Sequence, residues 1–458
     1  MNLSNTAVPL EYGLFREQVL AGEIPVCEEI SLEMNRTDFL IAHPDYYYNP
    51  EVLDGFIQFC QEEMTTAEGE DLILTPAFRL WAESVLSWFV YVDKRIYNPS
   101  TKRYEMITDL QRLRKKQYLI VGRGGAKSLY ATLIHAYGLL VDKQTTHQIV
   151  TAPTMALAEE TMGPFRTAIA RSKGPLLRFM ATGDIRSNTW SKVKLASTKK
   201  GIENFMTNSL MEIRPMAIDK LQGLKVKYAT VDEWLSGETR EDVIGAIEQG
   251  ASKVPEYLII ATSSEGTQRD GIGDTIKMEL KSILRGEYFA PHISIWYYRL
   301  DELSEINQPE MWLKANPNLG ITMSYEAVQE DVERAENVPS TRNDIVAKRF
   351  GIPVEGHTYF FKYEETLLHK PIGVRNMLCA MGADLSQGDD FCAFTFLFPL
   401  GDERFAVKTR SYVTESKALK VPKATLAKYD QFVAEHTLIV FPGVNLNMRE
   451  VTRDLIDW

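Results

Sequence analysis

Short apolar runs alternate with helix-like stretches through the middle of this chain. The runs are Tyr118–Val121, His147–Val150, Lys227–Val231 and Tyr257–Ile260. Runs of this length, bounded by turns and separated by helical stretches, are typical of parallel strands that are buried on both faces. The pattern predicts an α/β domain with a parallel sheet, preceded by a mainly helical segment over residues 1–70.

Beyond residue 300 the pattern becomes helical and polar, with prolines at positions 309, 317, 339 and 353. A second strand-rich block follows, with runs at Leu378–Ala383, Phe391–Phe398, Phe405–Val413 and Leu438–Phe441. Successive strands joined by short turns indicate antiparallel pairing and hence a second fold. We therefore expect one domain over residues 71–300, a linker segment over 301–365 and a further domain over 366–458.

The chain of 458 residues is long enough for two or three domains. It contains no run of about 20 apolar residues, so no membrane span is expected, and its N-terminus lacks the pattern of a secretory signal. The four cysteines lie far apart without CxxC spacing. This argues against a disulfide scaffold or a structural zinc site and fits a reducing cytoplasm.

The formal net charge of -11 by itself disfavours nonspecific nucleic-acid binding, although DNA responds to local patches of charge. Basic clusters occur at Arg112 and Arg114–Lys116, at Lys192, Lys194, Lys199 and Lys200, and at Lys220, Lys225 and Lys227. We interpret each cluster as a solvated face, with a DNA-binding patch as the alternative.

A glycine-rich segment, Gly122–Ser128, follows the first apolar run and precedes a helix predicted over Leu129–Leu140. Such a segment can cradle phosphates, because its glycines expose backbone N–H groups and the helix N-terminus adds partial positive charge. Lys127 is then placed to contact the β- and γ-phosphates, and the Ser128 hydroxyl to bind Mg²⁺. The general phosphate-loop pattern has glycine where this chain has Val121 and Ala126, so a flexible turn with a chance Lys-Ser pair is the alternative.

Two carboxylates, Asp232 and Glu233, follow the apolar run that ends at Val231. A buried strand that delivers acidic residues at its C-terminal end is the arrangement of a Walker B element. In that role Asp232 holds Mg²⁺, and Glu233 orients and polarises the attacking water as general base. A surface turn is the alternative, which the upstream glycine-rich segment disfavours.

Small polar residues follow two other predicted strands, in Ala261–Ser264 and Thr151–Thr154. Hydroxyl groups at strand ends can sense a γ-phosphate, although plain turns fit these residues equally well. Because the carboxyl ends of parallel strands meet at one edge of a sheet, we expect these segments beside the glycine-rich loop and the acidic pair. This is the arrangement of additional-strand P-loop ATPases, a class that includes helicases and translocases.

The glycine-rich loop, with arginine after its first glycine, resembles the G-R-G-x-G-K-S variant of tailed-phage terminase large subunits, with Ala126 in place of the last glycine. Asp219–Leu224 resembles the segment before the acidic strand in that family, and Trp312–Gly320 is similar to its W-x-x-A-N-P-x-L-G signature. Gly22–Cys27 resembles the family's N-terminal segment. The resemblance extends in the family's order from about residue 10 to the C-terminal end.

This resemblance implies an N-terminal additional-strand P-loop ATPase with a parallel sheet, a helical linker and a C-terminal RNase H-like α/β nuclease domain. With ATP and Mg²⁺ as the implied ATPase cofactors, the matching positions assign ATP binding to Gly122, Arg123, Gly124, Gly125, Ala126, Lys127 and Ser128. Ser128 and Asp232 are assigned to the metal, Glu233 to catalysis, and Thr262 and Ser263 to coupling. Arg123 is a further catalytic candidate that would stabilise charge on the γ-phosphate, with a simple ion pair as the alternative.

The contacts to the adenine base are where this chain departs from the family. Members often place a glutamine after a Pro–aromatic pair, near Leu74–Phe78 in this sequence. This chain has no glutamine there, so the way the base is held and the preference for ATP stay open.

The segment Met381–Ser386 follows an apolar strand and resembles the family's first nuclease motif. RNase H-like nucleases hold two divalent metals, Mg²⁺ or Mn²⁺, about 4 Å apart among their carboxylates, and the resemblance assigns catalysis and metal binding to Asp384. We interpret Asp389 and Asp390 as turn formers rather than ligands. Val444–Asn447 matches the family's middle nuclease segment, after which members continue to acidic residues that this sequence lacks. We therefore expect that the nuclease domain is partial and does not assemble a complete two-metal site.

The resemblance also implies partners and a location. The partners are double-stranded DNA, a portal protein, a small terminase subunit and further copies of the chain on the portal. In solution the expected state is a monomer. The location is the host cytoplasm, with transient binding at the procapsid portal vertex and no membrane.

The function predicted for this chain is an ATP-driven motor that packages DNA into a procapsid and a metal-dependent endonuclease that cuts concatemers. A helicase-like DNA-dependent ATPase is one alternative, although no second RecA-like lobe is visible after residue 300. A catalytically silent DNA-binding assembly component is the other, motivated by Ala126 and the missing nuclease carboxylates.

Overall fold

The structure is a computed structural model that describes residues 9–181, 194–236, 241–267, 271–354, 373–385, 391–401, 404–419, 421 and 423–458. The chain divides into two compact units, residues 1–358 and 359–458, and each unit is treated by itself. Among the described helices, none combines the length and apolar character needed to cross a bilayer.

The first unit begins with helices, as the sequence predicts. They are α1 (Leu10–Leu20), α2 (Glu28–Ala42), α3 (Pro50–Glu63) and α4 (Pro76–Leu86). Two of them start at side-chain caps, because the Asn49 side chain accepts from Glu51 N and Thr75 Oγ1 accepts from Phe78 N. Their apolar residues, such as Phe56 and Trp81, pack in the same core cluster as the central sheet.

A long hairpin follows α4, and the sequence analysis did not predict it. A short strand β1 (Tyr46–Tyr48) pairs with β2 (Trp88–Asn98), which pairs with β3 (Arg103–Arg112), all antiparallel. Strand β2 opens with the apolar run Trp88–Val92, but charged and polar residues interrupt the rest of β2 and all of β3, and many of these side chains are exposed. Beyond Val92 the hairpin therefore lacks the continuous apolar run that marks the buried strands.

Glu83, on α4, is a buried carboxyl that joins the N-terminal helices. Its side chain is 1% exposed. It accepts hydrogen bonds from the Tyr12 amide at 2.8 Å, the Glu11 amide at 3.2 Å and the Tyr48 hydroxyl at 2.7 Å. The two amides belong to the first turn of α1, whose own N-cap residue supplies no side-chain bond. Burial raises the pKa of Glu83 to about 7, although these hydrogen bonds oppose the shift.

Glu83 should make stability fall as pH rises. An unfolded glutamate titrates near pH 4.3, so the unfolded chain loses this proton before the folded protein does. The stabilisation is complete below that pH and is lost as pH rises through the folded pKa of about 7. In urea unfolding followed from pH 4 to pH 8, we expect Glu83→Gln to remove up to about 3 kcal/mol of this pH dependence.

The exposed Glu23 provides the control for this measurement. Glu23→Gln should leave the pH profile of unfolding unchanged. If the Glu83→Gln and wild-type proteins lose stability in parallel over this range, the raised pKa is wrong.

Eight strands form the central sheet of the first unit. They are β4 (Lys116–Ile120), β5 (His147–Thr151), β6 (Leu195–Thr198), β7 (Gly201–Asn204), β8 (Ser209–Ile213), β9 (Tyr228–Asp232), β10 (Leu258–Ser263) and β11 (Ile293–Tyr297). Their order is β11-β4-β10-β9-β5-β8-β7-β6. All pairs from β11 to β8 are parallel, and β7 and β6 continue the sheet in antiparallel fashion. The four predicted strands are therefore confirmed, and four more join them.

Helices cover both faces of this sheet. They are α5 (Lys127–Val141), α6 (Met155–Arg171), α7 (Pro175–Ala181), α8 (Ile218–Leu221), α9 (Val243–Ala251) and α10 (Ile272–Leu284). Along β4, Leu119 packs in the cluster that contains α5, whereas Tyr118 and Ile120 pack in the cluster that contains α9 and α10. Successive side chains of a strand point to opposite faces, so a strand covered on both sides must be apolar throughout.

The basic clusters are only partly solvated, which corrects the sequence interpretation. Arg114 is 1% exposed, donates to the Pro291 carbonyl at 2.9 Å and lies 3.7 Å from Glu33. Arg112 is also buried, and Lys227 is buried in an ion pair with Asp142 at 2.6 Å. Charge alone does not reveal these burials, because the carbonyls and carboxylates that compensate them come from distant parts of the chain. Of the other cluster members, Lys199, Lys200, Lys220 and Lys225 are exposed, and Lys192 lies outside the described residues.

The stretch beyond β11 is helical, as predicted. Two 3₁₀ helices, Leu303–Asn307 and Pro309–Lys314, precede α11 (Tyr325–Asn337) and α12 (Pro339–Phe350). The Ser324 hydroxyl caps α11, and α12 ends at Gly351 in the left-handed conformation. These elements have their own apolar cluster, centred on Trp312 and Phe350, and they belong to the first unit.

The second unit contains a four-stranded sheet in the order β12-β13-β14-β15. Its strands are β12 (Ala380–Asp384), β13 (Cys392–Gly401), β14 (Arg404–Thr414) and β15 (Leu438–Phe441), and its helices are α13 (Glu415–Ala418), α14 (Lys423–Ala434) and α15 (Met448–Asp457). The first three strands pair antiparallel, as predicted. The prediction is wrong for β15, which pairs parallel with β14. Helix α14 connects these two strands, and a helical crossover returns the chain in the same direction.

Candidate functional site

The glycine-rich loop connects β4 to α5. Gly124 has a φ of 83° and Ala126 a φ of 56°, both in the left-handed region. That conformation costs a residue with a Cβ about 1 kcal/mol, so the loop is strained at the position where the family pattern has its last glycine. No side chain caps the N-terminus of α5, which leaves its first amides free to bind an anion.

Asp232 ends β9 and accepts hydrogen bonds from three hydroxyls. Ser128 Oγ lies 2.6 Å away and Thr161 Oγ1 3.1 Å away from Asp232 Oδ2, and Thr262 Oγ1 lies 2.6 Å from Asp232 Oδ1. Asp232 is only 3% exposed. The structure thus brings together the hydroxyl and the carboxylate that the sequence analysis assigned to one metal ion.

The sheet itself sets this geometry. Strand β10 lies between β4 and β9, and Thr262 is directly opposite both Leu119 on β4 and Asp232 on β9. The parallel strands β4, β10 and β9 therefore end at the same edge of the sheet, and the glycine-rich loop begins just after β4. A strand inserted between the loop strand and the acidic strand is the feature expected of the additional-strand class.

Glu233 follows Asp232 with a φ of 51°, again in the left-handed region. Its Oε2 accepts from Ser263 Oγ at 3.2 Å and from Ser264 Oγ at 3.3 Å. The two hydroxyls after β10 therefore hold the carboxylate. Strain at a residue that also carries a fixed carboxylate is typical of functional sites.

Lys127 is buried beside these carboxylates and is 6% exposed. Its Nζ lies 3.9 Å from Glu233 Oε1 and donates to the Val121 carbonyl at 3.2 Å. Burial lowers the pKa of Lys127, and the charges of Glu233 and Asp232 oppose that shift. A desolvated cation with so few acceptors is suited to receive an anion.

A cavity of about 490 Å³ opens over these groups, within the usual size range of ligand sites. Its polar lining includes Arg123, Ser128, Glu160, Asp232, Glu233 and Lys348. Arg123 is exposed at its rim. No group of three or more His, Cys, Asp or Glu side chains in the described parts of the chain is placed to hold a metal ion, so a metal here would rely on Asp232, the Ser128 hydroxyl and a ligand's own oxygens.

Asp384 lies at the end of β12 in the second unit and is exposed. It is opposite Ala393, which is opposite Ser411, so these three side chains share one face of the sheet. Asp454 belongs to the other face, because it binds Arg410 at 2.6 Å and Tyr412 at 2.8 Å, on either side of Ser411. Asp389 and Asp390 lie outside the described residues.

Comparison with known proteins gives consistent results. Residues 290–458 match the family model "Terminase large subunit, endonuclease domain". The terminase large subunit of Lactococcus phage p2 is 22% identical over 422 residues, covering 91% of this chain and 73% of that protein. Together these matches support a terminase large subunit of a tailed phage. The large subunit of Enterobacteria phage HK97 is 26% identical to this chain over 242 residues, covering 51% of this chain and 46% of that protein.

The crystal structure of the HK97 bacteriophage large terminase is also similar to this chain. The match has 20% sequence identity and a TM-score of 0.49. It covers 88% of this chain and 77% of that one.

Other terminase-like segments fall around the same loop or along the same unit. Trp312–Gly320 begins in the second 3₁₀ helix and lies against the glycine-rich loop, whereas α8 overlaps Asp219–Leu224. Beside Leu74–Phe78, Gln18 lines a separate, largely apolar cavity of about 500 Å³.

Several residues of the site were not predicted from the sequence. Thr161 lies on α6 and reaches Asp232, although nothing in the local pattern distinguishes it from other helix hydroxyls. Asn318, Thr322 and Arg349 bind the glycine-rich loop from a stretch that was expected to be a linker. Only the Trp312–Gly320 signature, which contains Asn318, gave a signal for them.

Proposed function

We propose that the first unit hydrolyses ATP to move double-stranded DNA into a procapsid, and that the second unit is a metal-dependent nuclease that cuts concatemeric DNA. One observation supports the ATPase above all. Ser128 of the glycine-rich loop and the Asp232–Glu233 pair line the same cavity at adjoining strand ends, and the buried Lys127 Nζ lies 3.9 Å from Glu233 Oε1.

The residues present fit a nucleoside triphosphate with Mg²⁺. The uncapped start of α5 and the buried Lys127 would hold the phosphates, and Ser128 with Asp232 would hold the metal. When bound, Mg²⁺ would neutralise charge on the β- and γ-phosphates. The Ser128 hydroxyl now donates to Asp232, so it would turn its lone pairs toward the metal while Thr262 and Thr161 keep the carboxylate in place.

Glu233 would act as general base. Ser263 and Ser264 hold its Oε2, which leaves Oε1 to accept a proton from water lying over the γ-phosphate. Two hydroxyls of β10 hold the two carboxylates: Thr262 binds Asp232, and Ser263 binds Glu233. They are therefore placed to pass a change at the phosphate to the chain beyond this strand. Arg123, at the rim, would stabilise charge on the γ-phosphate.

For the nuclease, Asp384 is the proposed metal ligand and catalytic carboxylate, with two divalent ions, Mg²⁺ or Mn²⁺, as its cofactors. Its exposure at a strand end supports this role. The proposed domains are the ATPase over residues 71–300 behind the helical segment 1–70, the linker over 301–365 and the nuclease over 366–458. Double-stranded DNA, a portal protein, a small terminase subunit and further copies of this chain are the proposed partners in the host cytoplasm.

ATP turnover measured with and without linear duplex DNA tests this function. We expect turnover that depends on Mg²⁺ and rises when DNA is added, because a packaging motor couples hydrolysis to a bound duplex. Nucleotide binding without turnover, even with DNA and portal present, would instead indicate a silent assembly component. Separation of DNA strands would indicate a helicase.

A further inference from the structure

The stretch from Ala315 to Arg349 holds the glycine-rich loop from behind. Gly122 N donates to the Ala315 carbonyl at 3.0 Å, and Arg123 N donates to the Lys348 carbonyl at 2.7 Å. Three side chains then bind three successive loop carbonyls. The Arg349 guanidinium donates to Arg123 O, Thr322 Oγ1 donates to Gly124 O at 3.0 Å, and Asn318 Nδ2 donates to Gly125 O at 3.0 Å.

The loop and this stretch are in such close contact that the first position must be glycine. A Cβ at Gly122 would lie 2.2 Å from Asn316 Oδ1 and 2.5 Å from the Arg349 carbonyl oxygen. One of these contacts is with backbone and cannot be relieved by a side-chain rotation. The loop, with glycine at this position and arginine after it, therefore fits closely against the Ala315–Arg349 stretch.

Peptide geometry gives these contacts a consequence on the other side of the loop. In a planar trans peptide the C=O and the following N–H point in opposite directions. By binding Arg123 O, Arg349 therefore makes the Gly124 N–H point away from the Arg349 side chain. By binding Gly125 O, Asn318 likewise makes the Ala126 N–H point away from the Asn318 side chain. Thr322 supports the turn between them, in which Gly125 N donates to Gly122 O at 3.1 Å.

The two main contacts are built to be rigid. Asn318 is 1% exposed, and it follows the buried Trp312, whose indole donates to Ile306 O at 2.7 Å. Arg349 is oriented by Asp331, with nitrogen–oxygen distances of 2.6 and 2.7 Å. A donor that is fixed before the ligand arrives costs no reorganisation when it acts.

We propose that Asn318 and Arg349 are positioning residues of the nucleotide site, with Thr322 in a supporting role. They hold the Gly124 and Ala126 N–H groups toward the phosphates without touching the nucleotide. This inference rests on the proposed ATPase function and deepens it, because it makes the expected linker a part of the phosphate site.

Asn318→Ala tests the proposal in steady-state ATP turnover and in binding of a fluorescent ATP analogue. Without the Asn318 side chain, the Ala126 N–H is no longer held toward the phosphates, which should weaken phosphate binding in the ground state and the transition state equally. KM and Kd should therefore rise about tenfold, while kcat stays within about twofold. Asn337→Ala is the matched control, since the Asn337 amide also donates to a backbone carbonyl, at 2.8 Å, but within α11. It should leave all three constants unchanged.

Substitutions at two further positions keep the test decisive if Asn318→Ala folds poorly. Thr322 is exposed, so Thr322→Val should fold normally and raise KM about threefold. Arg349→Ala should raise KM more, and Arg349→Lys should restore part of the affinity. Unchanged KM and Kd in folded Asn318, Thr322 and Arg349 variants would overturn the positioning role, and so would a loss confined to kcat. A wild-type protein that neither binds nor hydrolyses ATP would instead refute the proposed function itself.

Discussion

Glu233→Gln is expected to lower kcat for ATP hydrolysis by about 10³-fold while nucleotide affinity changes little. Glutamine keeps the size of the side chain and can still receive the hydrogen bonds from Ser263 and Ser264. It cannot accept a proton from water, so only the chemical step should suffer. Single-turnover hydrolysis and equilibrium binding of an ATP analogue separate the two effects.

Glu330, exposed on α11, provides the matched control for Glu233. Glu330→Gln should turn over ATP like the wild-type protein. Turnover by Glu233→Gln within threefold of wild type would remove Glu233 from the role of base. Weakened binding with an unchanged rate of hydrolysis would instead make it a residue that orders the empty site.

Lys127→Met is expected to weaken nucleotide binding by about 100-fold, because it removes a charge-assisted contact to phosphate. The same change should not destabilise the nucleotide-free protein. Burial lowers the pKa of Lys127, because keeping its charge away from water costs free energy in the folded state. An uncharged methionine of similar length does not carry that cost. Thermal unfolding should therefore show an equal or higher Tm without ATP and little further rise when ATP and Mg²⁺ are added.

The matched control for Lys127 is Lys143→Met, since Lys143 is exposed two residues beyond α5. Its Tm should rise with nucleotide as in the wild-type protein. A Lys127→Met protein that ATP still stabilises fully would contradict the proposed phosphate site.

Much of the first unit was predictable because burial on both faces leaves a local signature. Strands such as β4 must be apolar at every position when helices cover both sides, and the loop and acidic pair follow such strands directly. Beyond the apolar run Trp88–Val92, the hairpin of β2 and β3 has no such signature, because its faces there are largely solvated. The direction of β15 was missed because pairing depends on the crossover through α14, and strand periodicity carries no information about direction.

The site was predictable only where chemistry and sequence position coincide. Ser128, Asp232 and Glu233 follow strands that the pattern locates, and parallel strands bring their ends together. Thr161 and Arg349 reach the site across the fold, from helices whose sequences give no sign of a ligand site. Their roles come from tertiary contacts, which a one-dimensional pattern does not encode.

The contacts behind the glycine-rich loop bear on how terminases are divided into modules. The stretch that matches the endonuclease family model starts at residue 290, yet Asn318 and Arg349, which lie within it, pack in the first unit. A border drawn from sequence similarity therefore passes through a folded body. Exchanging modules between phages at that border would combine the glycine-rich loop of one protein with the Ala315–Arg349 stretch of another. Function would then survive only where that stretch still fits against the loop.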